Sequence, residues 1–299
     1  MNRSILILNP TARSGRARGL RRRLGKLIGS SPVLVRETAH PGQARSIAQW
    51  AVGKGYRRVI AAGGDGTVNE IINGIAGSDL SLGLLPVGTM NVFAAELGLP
   101  RSLERCWEII EADRTCEVDL PLANGHAFIQ LAGVGLDAQV IRETSHAFKR
   151  HLGPLSYLIS ATQIASRKPP RLTIRTAEGT THDGSFVLVG NGRFYGGPFP
   201  VFPEARSHDG LLDVILFQNL GYLDIARYLQ AIFFRFQHQL HDVVSLQTRR
   251  LQVSADMPVP VEVDGEVIGD TPIDFHFHPK PLRIVVPASY HGRGPGPVS

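Results

Sequence analysis

The chain of 299 residues is poor in cysteine, with only Cys106 and Cys116. Two cysteines build no disulfide framework, and their spacing fits no metal site, so a reducing cytoplasm is expected. A run of ~18 apolar residues, the length that crosses a bilayer, is also missing. The opening MNRSILILNP has too short an apolar part for a secretory signal. Zinc-type spacings, RNP motifs and basic heptads are absent, which argues against nucleic acid as a partner. There is no internal repeat and no low-complexity tract. Only the end of the chain, from about residue 289 and including HGRGPGPVS, is expected to be flexible, because glycine and proline leave little to bury there.

What is present is ordinary globular composition, 43% hydrophobic and 19% charged, with a formal net charge of +6. Part of that excess lies in ARSGRARGLRRRLGK. Such a face suits phosphate or an anionic membrane, or it is simply a solvated helix face.

Apolar periodicity divides the chain. Over the first 115 residues, short strands (SILIL, VLVRET, RRVIAA, LGLLP) alternate with helices (GRARGLRRRLGKLI, GQARSIAQWAVGKG, TVNEIINGIA, NVFAAELG). That alternation implies a parallel sheet covered on both faces. From about Ala123 strand-like runs dominate, with Asp264-Gly265 as a hairpin signal and helical segments near Pro154–Ser166 and Tyr222–Leu240. The expectation is an α/β domain over residues 1–122 and a mostly antiparallel β-sandwich domain over 123–299.

Gly63-Gly64-Asp65-Gly66-Thr67 falls between a strand and a helix, where an α/β sheet offers backbone N–H groups to an anion. Asp65 makes sense beside phosphate if Mg²⁺ lies between them. Thr67 is expected to cap the helix. The turn is not a dinucleotide fingerprint, since Asp65 and Asn69 occupy positions that would need glycine, and it is not a Walker A loop. Gly88, Thr89 and Asn91 form a second such turn. Asn9 and Thr11 end the first strand, and Thr38 ends the second. Four strand ends with small polar residues would lie together as a ligand crevice.

NPTARSG, GGDGTVNE and LPVGTMNVFA together resemble the diacylglycerol kinase family, above all its bacterial members related to sphingosine kinases. The likeness continues through GVGLDAQV, KRHLGPLSYL, NGRFYGGPFPVFPEARSHDGLLDVILF and VEVDGEVIG, across almost the whole chain. It implies an ATP- and magnesium-dependent lipid kinase with a crevice between an α/β and a β-rich domain. By this resemblance, ATP would contact Asn9, Pro10, Thr11, Ala12, Arg13, Thr38, Gly63, Gly64, Asp65, Gly66, Thr67, Val68, Asn69 and Thr89. Mg²⁺ would take the Arg206 carbonyl, the Asp209 carboxylate and the Leu211 carbonyl. Glu266 would be the general base, with Asp264 beside it and Asp65 as a further catalytic carboxylate. One departure stands out: Val92 replaces an aspartate that family members often carry after the Gly-Thr turn.

The implied partner is a lipid at a membrane surface, such as diacylglycerol, a sphingoid base or phosphatidylglycerol. The protein would be cytoplasmic and peripheral at the membrane, and a homodimer stays open. HAFKRHLGPLSYLI mixes cations with apolar residues and is the better candidate for touching a bilayer. The amphipathic stripe Tyr222, Ile225, Leu229, Ile232 or Phe233, Phe236, Leu240 leaves Phe234 outside and reads first as packing on the β domain. His276 and His278 share a strand face without a third ligand, which favours a structural role. The competing functions are an NAD kinase, which shares GGDGT, and a non-catalytic binder on the same fold.

Overall fold

The computed structural model describes residues 3–12, 17–29, 31–136, 138–139, 170–195, 197, 199–219, 221–234 and 236–290. Arg13, the expected helix Pro154–Ser166, the stretch HAFKRHLGPLSYLI and the residues beyond 290 lie outside these.

The first sheet is built as the alternation requires. Strands β1 (Ser4–Leu8), β2 (Val33–Glu37), β3 (Arg58–Gly63) and β4 (Ser81–Pro86) lie parallel in the order β2-β1-β3-β4. Successive β1 residues bury opposite ways because side chains alternate across a strand. Ile5 and Ile7 face α2 (Gln43–Gly53) and α3 (Asp65–Ile75). Leu6 and Leu8 face α1 (Ala17–Ile28) and α5 (Leu103–Ala112). Part of the basic face of α1 is spent within the protein: Arg21 and Arg23 donate to Glu37 and Glu104.

The far side of this sheet was not legible. Strand Leu282–Val285, from the end of the chain, lies between β4 and β5 (Thr115–Val118), parallel to the first and antiparallel to the second. The division at residue 122 therefore follows chain order but not sheet membership. LRIVVP reads as a buried strand wherever it goes, and only its neighbours tell which sheet it completes.

The remaining strands form two antiparallel sheets of six and one short antiparallel pair, Phe194–Tyr195 with Phe199–Pro200. One sets Leu172–Thr176 and Arg250–Ala255 beside Ile273–Phe277; the other sets Leu212–Phe217 and Phe186–Gly190 beside Leu131–Val134 and Pro260–Val263. Their facing sides share one core, in which Ile174, Val253 and Phe275 meet Val134, Val189, Val214 and Val261. Each fully buried aliphatic or aromatic side chain there is worth roughly 1.5–3 kcal/mol relative to exposure.

Helix Tyr222–Phe234 covers the outer side of the second sheet through Ile225 and Tyr228 against Phe186 and Phe217. This is the packed reading of the amphipathic stripe, with Phe234 left 64% exposed. His276 hydrogen-bonds Asp274, and His278 bonds the backbone of Lys280. No group of three or more His, Cys, Asp or Glu able to hold a metal occurs among the described residues. No helix among them is long and apolar enough to cross a membrane.

The return of the last strand makes a prediction. A fragment ending at residue 122 lacks the partner that joins β4 to β5. It should show no cooperative melt by circular dichroism, whereas the full chain should. A fragment that melts cooperatively near the full-chain temperature would contradict the topology argument.

Candidate active site

Parallel register brings four strand ends to one edge: Leu8 is level with Glu37 and Ala62, and Gly63 with Pro86. The chain turns to one side of β1 for β2 and to the other for β3, so a crevice opens between β1 and β3. Asn9 spans it, donating from Nδ2 to Thr67 Oγ1 at 3.0 Å and accepting from Thr11 N and Oγ1. Thr38 is tied to the same place by its N–H to Leu8 O, 2.9 Å. Ala12 and Thr89 line one groove of about 760 Å³ with Leu20, Val87 and Ala94.

The two glycine turns meet backbone to backbone. A Cβ on Gly88 would lie 2.4 Å from the Gly64 Cα, so only glycine allows this approach. Gly66 has open space instead, with nothing within 4 Å of where its Cβ would be. The N-terminus of α3 is thus bare on the side an anion would approach.

Asp65 is the first residue of α3, capped by Gly64, so the helix begins before Thr67. Thr67 is therefore not the cap; its hydroxyl is the acceptor for Asn9. The Asp65 carboxylate faces the backbone N–H groups of Phe93, Val92 and Asn91, where α4 (Val92–Glu96) starts. Burial, the larger influence, pushes its pKa up, while those N–H dipoles pull it down. The Val92 side chain is buried.

Asp264 sits in the Asp-Gly hairpin, where Asp264 and Gly265 both take positive φ, 47° and 89°. That is a type I′ geometry, which suits Asp-Gly. The turn aims the carboxylate inward. Oδ2 accepts Asn69 Nδ2 and Ile129 N, each at 2.8 Å; Oδ1 accepts Gln130 N at 3.0 Å and Leu131 N at 3.2 Å. Burial pushes its pKa up while these donors pull it down. All four are N–H donors, which call for an ionised acceptor.

Glu266, two residues on, points along the exposed hairpin edge. Partial burial, then the carboxylates of Glu70 and Asp264, push its pKa up; His126 acts the other way. Glu70 was overlooked as a neighbour. It accepts Gly42 N and Ala44 N at the start of α2. Asn73 was overlooked too: it donates to Ala127 O and accepts Ala127 N, each at 2.9 Å. Two asparagines one turn apart on α3, Asn69 and Asn73, are the available signal.

Arg206, Asp209 and Leu211 occupy one turn on the β side. Asp209 Oδ1 accepts Leu211 N at 3.0 Å, and Asp119 Oδ2 accepts Gly210 N at 2.8 Å. Nearby Asp213 is buried; its pKa is pushed up to about 6 by burial, with Asp209 and Glu204 adding to the rise. Its Oδ2 has no partner among the described residues. Two carbonyls and a carboxylate are hard oxygen donors, and the surplus of negative charge beside them fits a hard divalent cation.

An open parallel sheet with paired glycine turns at its switch point, roofed by a sandwich whose hairpin carries acids, defines a phosphate-handling α/β protein with a second substrate-facing domain. Residues 3–122 match the family model for the diacylglycerol kinase catalytic domain, and residues 130–286 that for the YegS C-terminal NAD kinase beta sandwich-like domain. The chain belongs to this family and is a lipid kinase. It is 32% identical over 259 residues to a "Probable lipid kinase YegS-like" of Pseudomonas aeruginosa, covering 85% of this chain and 84% of that one. To a "Diacylglycerol kinase" of Staphylococcus carnosus it is 30% identical over 259 residues, covering 84% and 83%. Its fold matches the crystal structure of a diacylglycerol kinase from Bacillus anthracis str. Sterne with a TM-score of 0.75 at 21% identity, covering 97% and 98% of the two chains.

Two outcomes are expected. Gly88→Ala should destabilise the protein by ~1–3 kcal/mol through overpacking against Gly64 and lower activity with it; an unchanged melting temperature would show that the turns can part. Asp213→Asn tests the buried acid. Its raised pKa means that the unfolded chain ionises first as pH rises, so the folded state loses stability between about 4 and 6. In chelator, Asn should therefore raise the melting temperature at pH 8 and leave it unchanged at pH 4. A gain equal at both pH values would assign the effect to packing.

Proposed function

We propose that this lipid kinase transfers the γ-phosphoryl group of ATP to a hydroxyl of a membrane-derived lipid such as diacylglycerol. The observation that carries the reading is the joining of Gly63–Thr67 to Gly88–Asn91 through the backbone contact of Gly64 with Gly88, opposite the hairpin that bears Glu266. The bare N-terminus of α3 offers N–H groups to phosphate. Asn9, Thr11 and Thr38 border the same crevice and orient the nucleotide. Arg206, Asp209 and Leu211 would hold Mg²⁺, which would brace their turn; magnesium carried with ATP neutralises phosphate charge.

The lipid oxygen bonds to the γ-phosphorus as its proton passes to a Glu266 carboxylate oxygen. The bond from that phosphorus to the bridging β-oxygen breaks, and ADP leaves. Asp264 is a poor base in this scheme, since four donors already occupy its carboxylate. It holds the hairpin that places Glu266. Burial, then Glu70 and Asp264, raise the Glu266 proton affinity above that of an ordinary glutamate, which suits a proton acceptor.

The deciding assay is labelled ATP against a panel of lipid hydroxyls and NAD, with products separated by thin-layer chromatography. Label in a lipid phosphate supports the reading; label only in a nucleotide product overturns it. On the productive lipid, Glu266→Gln should lower kcat by ~10² to 10⁴ and leave nucleotide affinity by calorimetry unchanged. The acid limb of the wild-type kcat profile should lie above the ordinary glutamate range. A loss under about tenfold places the base elsewhere.

A further inference from the structure

Glu96 and Arg193 form the most buried ion pair among the described residues, their side chains 6% and 7% exposed. Arg193 Nε donates to Glu96 Oε1 at 2.9 Å, and Arg193 N donates to Oε2 at 2.9 Å. The Arg193 Nη2 is buried and has no partner among the described residues. A buried pair with an unmet donor is a poor way to gain stability, because two apolar side chains of similar volume commonly do as well or better. Its value has to be geometric.

Its place in the fold says what geometry it sets. Glu96 is the last residue of α4; at the other end Asn91 bonds Gly88 N and O through its side chain, and Gly88 abuts Gly64, the residue before Asp65. On the other side, the loop of Arg193 is bonded to Gln130: Asn191 N and Gly192 N both donate to Gln130 O, at 2.9 and 3.3 Å. Gln130 N in turn donates to Asp264. The Gln130 side chain lies flat on Gly192, where a Cβ would come within 2.2 Å of its Oε1, so loop and strand cannot slide past one another. Contacts thus run from the Gly64 turn through Gly88, Asn91 and α4 to Glu96, Arg193, Gln130 and Asp264.

A second link joins the same two ends, through α3. Asn69 bonds Asp264, and Asn73, one turn further on, bonds Ala127. Those two pins lie along one helix, and pins on one line leave rotation about it. The Glu96–Arg193 contact stands off that line, on another helix, and adds a buried restraint against the rotation close to the two turns.

We propose that the Glu96–Arg193 pair is a positioning element for phosphoryl transfer: it holds the Gly88–Asn91 turn and Asp65 in register with the Asp264–Glu266 hairpin. This rests on the kinase reading above. Neither residue touches a reacting atom; the pair acts through α4 and Gln130. A small misplacement of reacting groups is enough to cost up to ~100-fold in rate, so loss of the pair falls on kcat more than on KM.

The test compares Glu96→Gln and the apolar pair E96L/R193M with wild type. Amide hydrogen exchange reads positioning without any substrate. Expected in Glu96→Gln is lost protection at the hydrogen-bonded amides of Gly88, Ala95 and Leu97 and at 129–131 together, with Val187–Val189 in the sandwich core unchanged. Expected with it is a fall in kcat of about tenfold or more, while KM for ATP and lipid moves less than about threefold. E96L/R193M should regain the wild-type melting temperature yet keep the low kcat and the unprotected amides.

Unchanged exchange at Gly88, Ala95, Leu97 and 129–131 in Glu96→Gln overturns the proposal. So does protection lost evenly across the chain with a lower melt, or recovery of both segments in the apolar pair, since each makes the contact merely structural. If the wild type phosphorylates no lipid, the kinase reading fails by itself. The exchange pattern still decides whether the pair holds the two turns in register.

Discussion

One buried carboxylate joins the two halves of the molecule at the point where chemistry is expected. Asp264 takes three consecutive backbone N–H groups, of Ile129, Gln130 and Leu131, and the amide of Asn69. Hydrogen bonds to a charged acceptor contribute roughly 1.5–3 kcal/mol each. The collar sets where the β sandwich begins relative to α3, and the sandwich sets everything beyond it. Removing the charge would leave buried donors facing an amide that brings donors of its own. That asymmetry makes the contact specific as well as strong, because no neutral side chain of this size satisfies four N–H groups.

The two-domain description needs care for the same reason. Strand Leu282–Val285 inserts between β4 and β5, so the chain leaves the first sheet, builds the sandwich and comes back to finish the sheet. The sandwich is held at both of its chain ends, and α3 pins it in between. Such a frame resists separation while leaving the crevice edge free, which suits a site that must admit both a nucleotide and a lipid. The exposed apolar residues Met90 and Phe199 belong to different halves, and both lie near Gly197. The halves therefore also meet in the turn that follows Gly88.

Val92 illustrates how a departure from a family pattern is absorbed. An aspartate there would add a carboxylate near Asp65. In this chain the position presents only its backbone N–H toward Asp65, whose carboxylate faces the start of α4. Acidic character instead gathers around the hairpin, where Glu70 and Asp264 flank Glu266. Beyond burial, the charges that raise the proton affinity of Glu266 come from helix α3 and from the hairpin itself. No local sequence window contains them together.

The sequence by itself determined the element types: alternating apolar runs with helix-period segments give a parallel sheet, and period-two runs with Asp-Gly give antiparallel hairpins. It also placed the strand ends, since small polar residues and glycines follow β1, β2, β3 and β4 in order. These are local consequences of backbone sterics and of burying one face. The tertiary structure decided which residues meet. Asp264 and Glu266 looked alike as turn carboxylates, yet one is surrounded by donors and the other is exposed, because their side chains leave the hairpin on different sides. Glu96 and Arg193, 97 positions apart, carry no mark that they pair. The reason is physical. Periodicity reports which way a side chain faces along its own element, whereas partnership depends on how elements are stacked, and that is fixed only when the whole core closes.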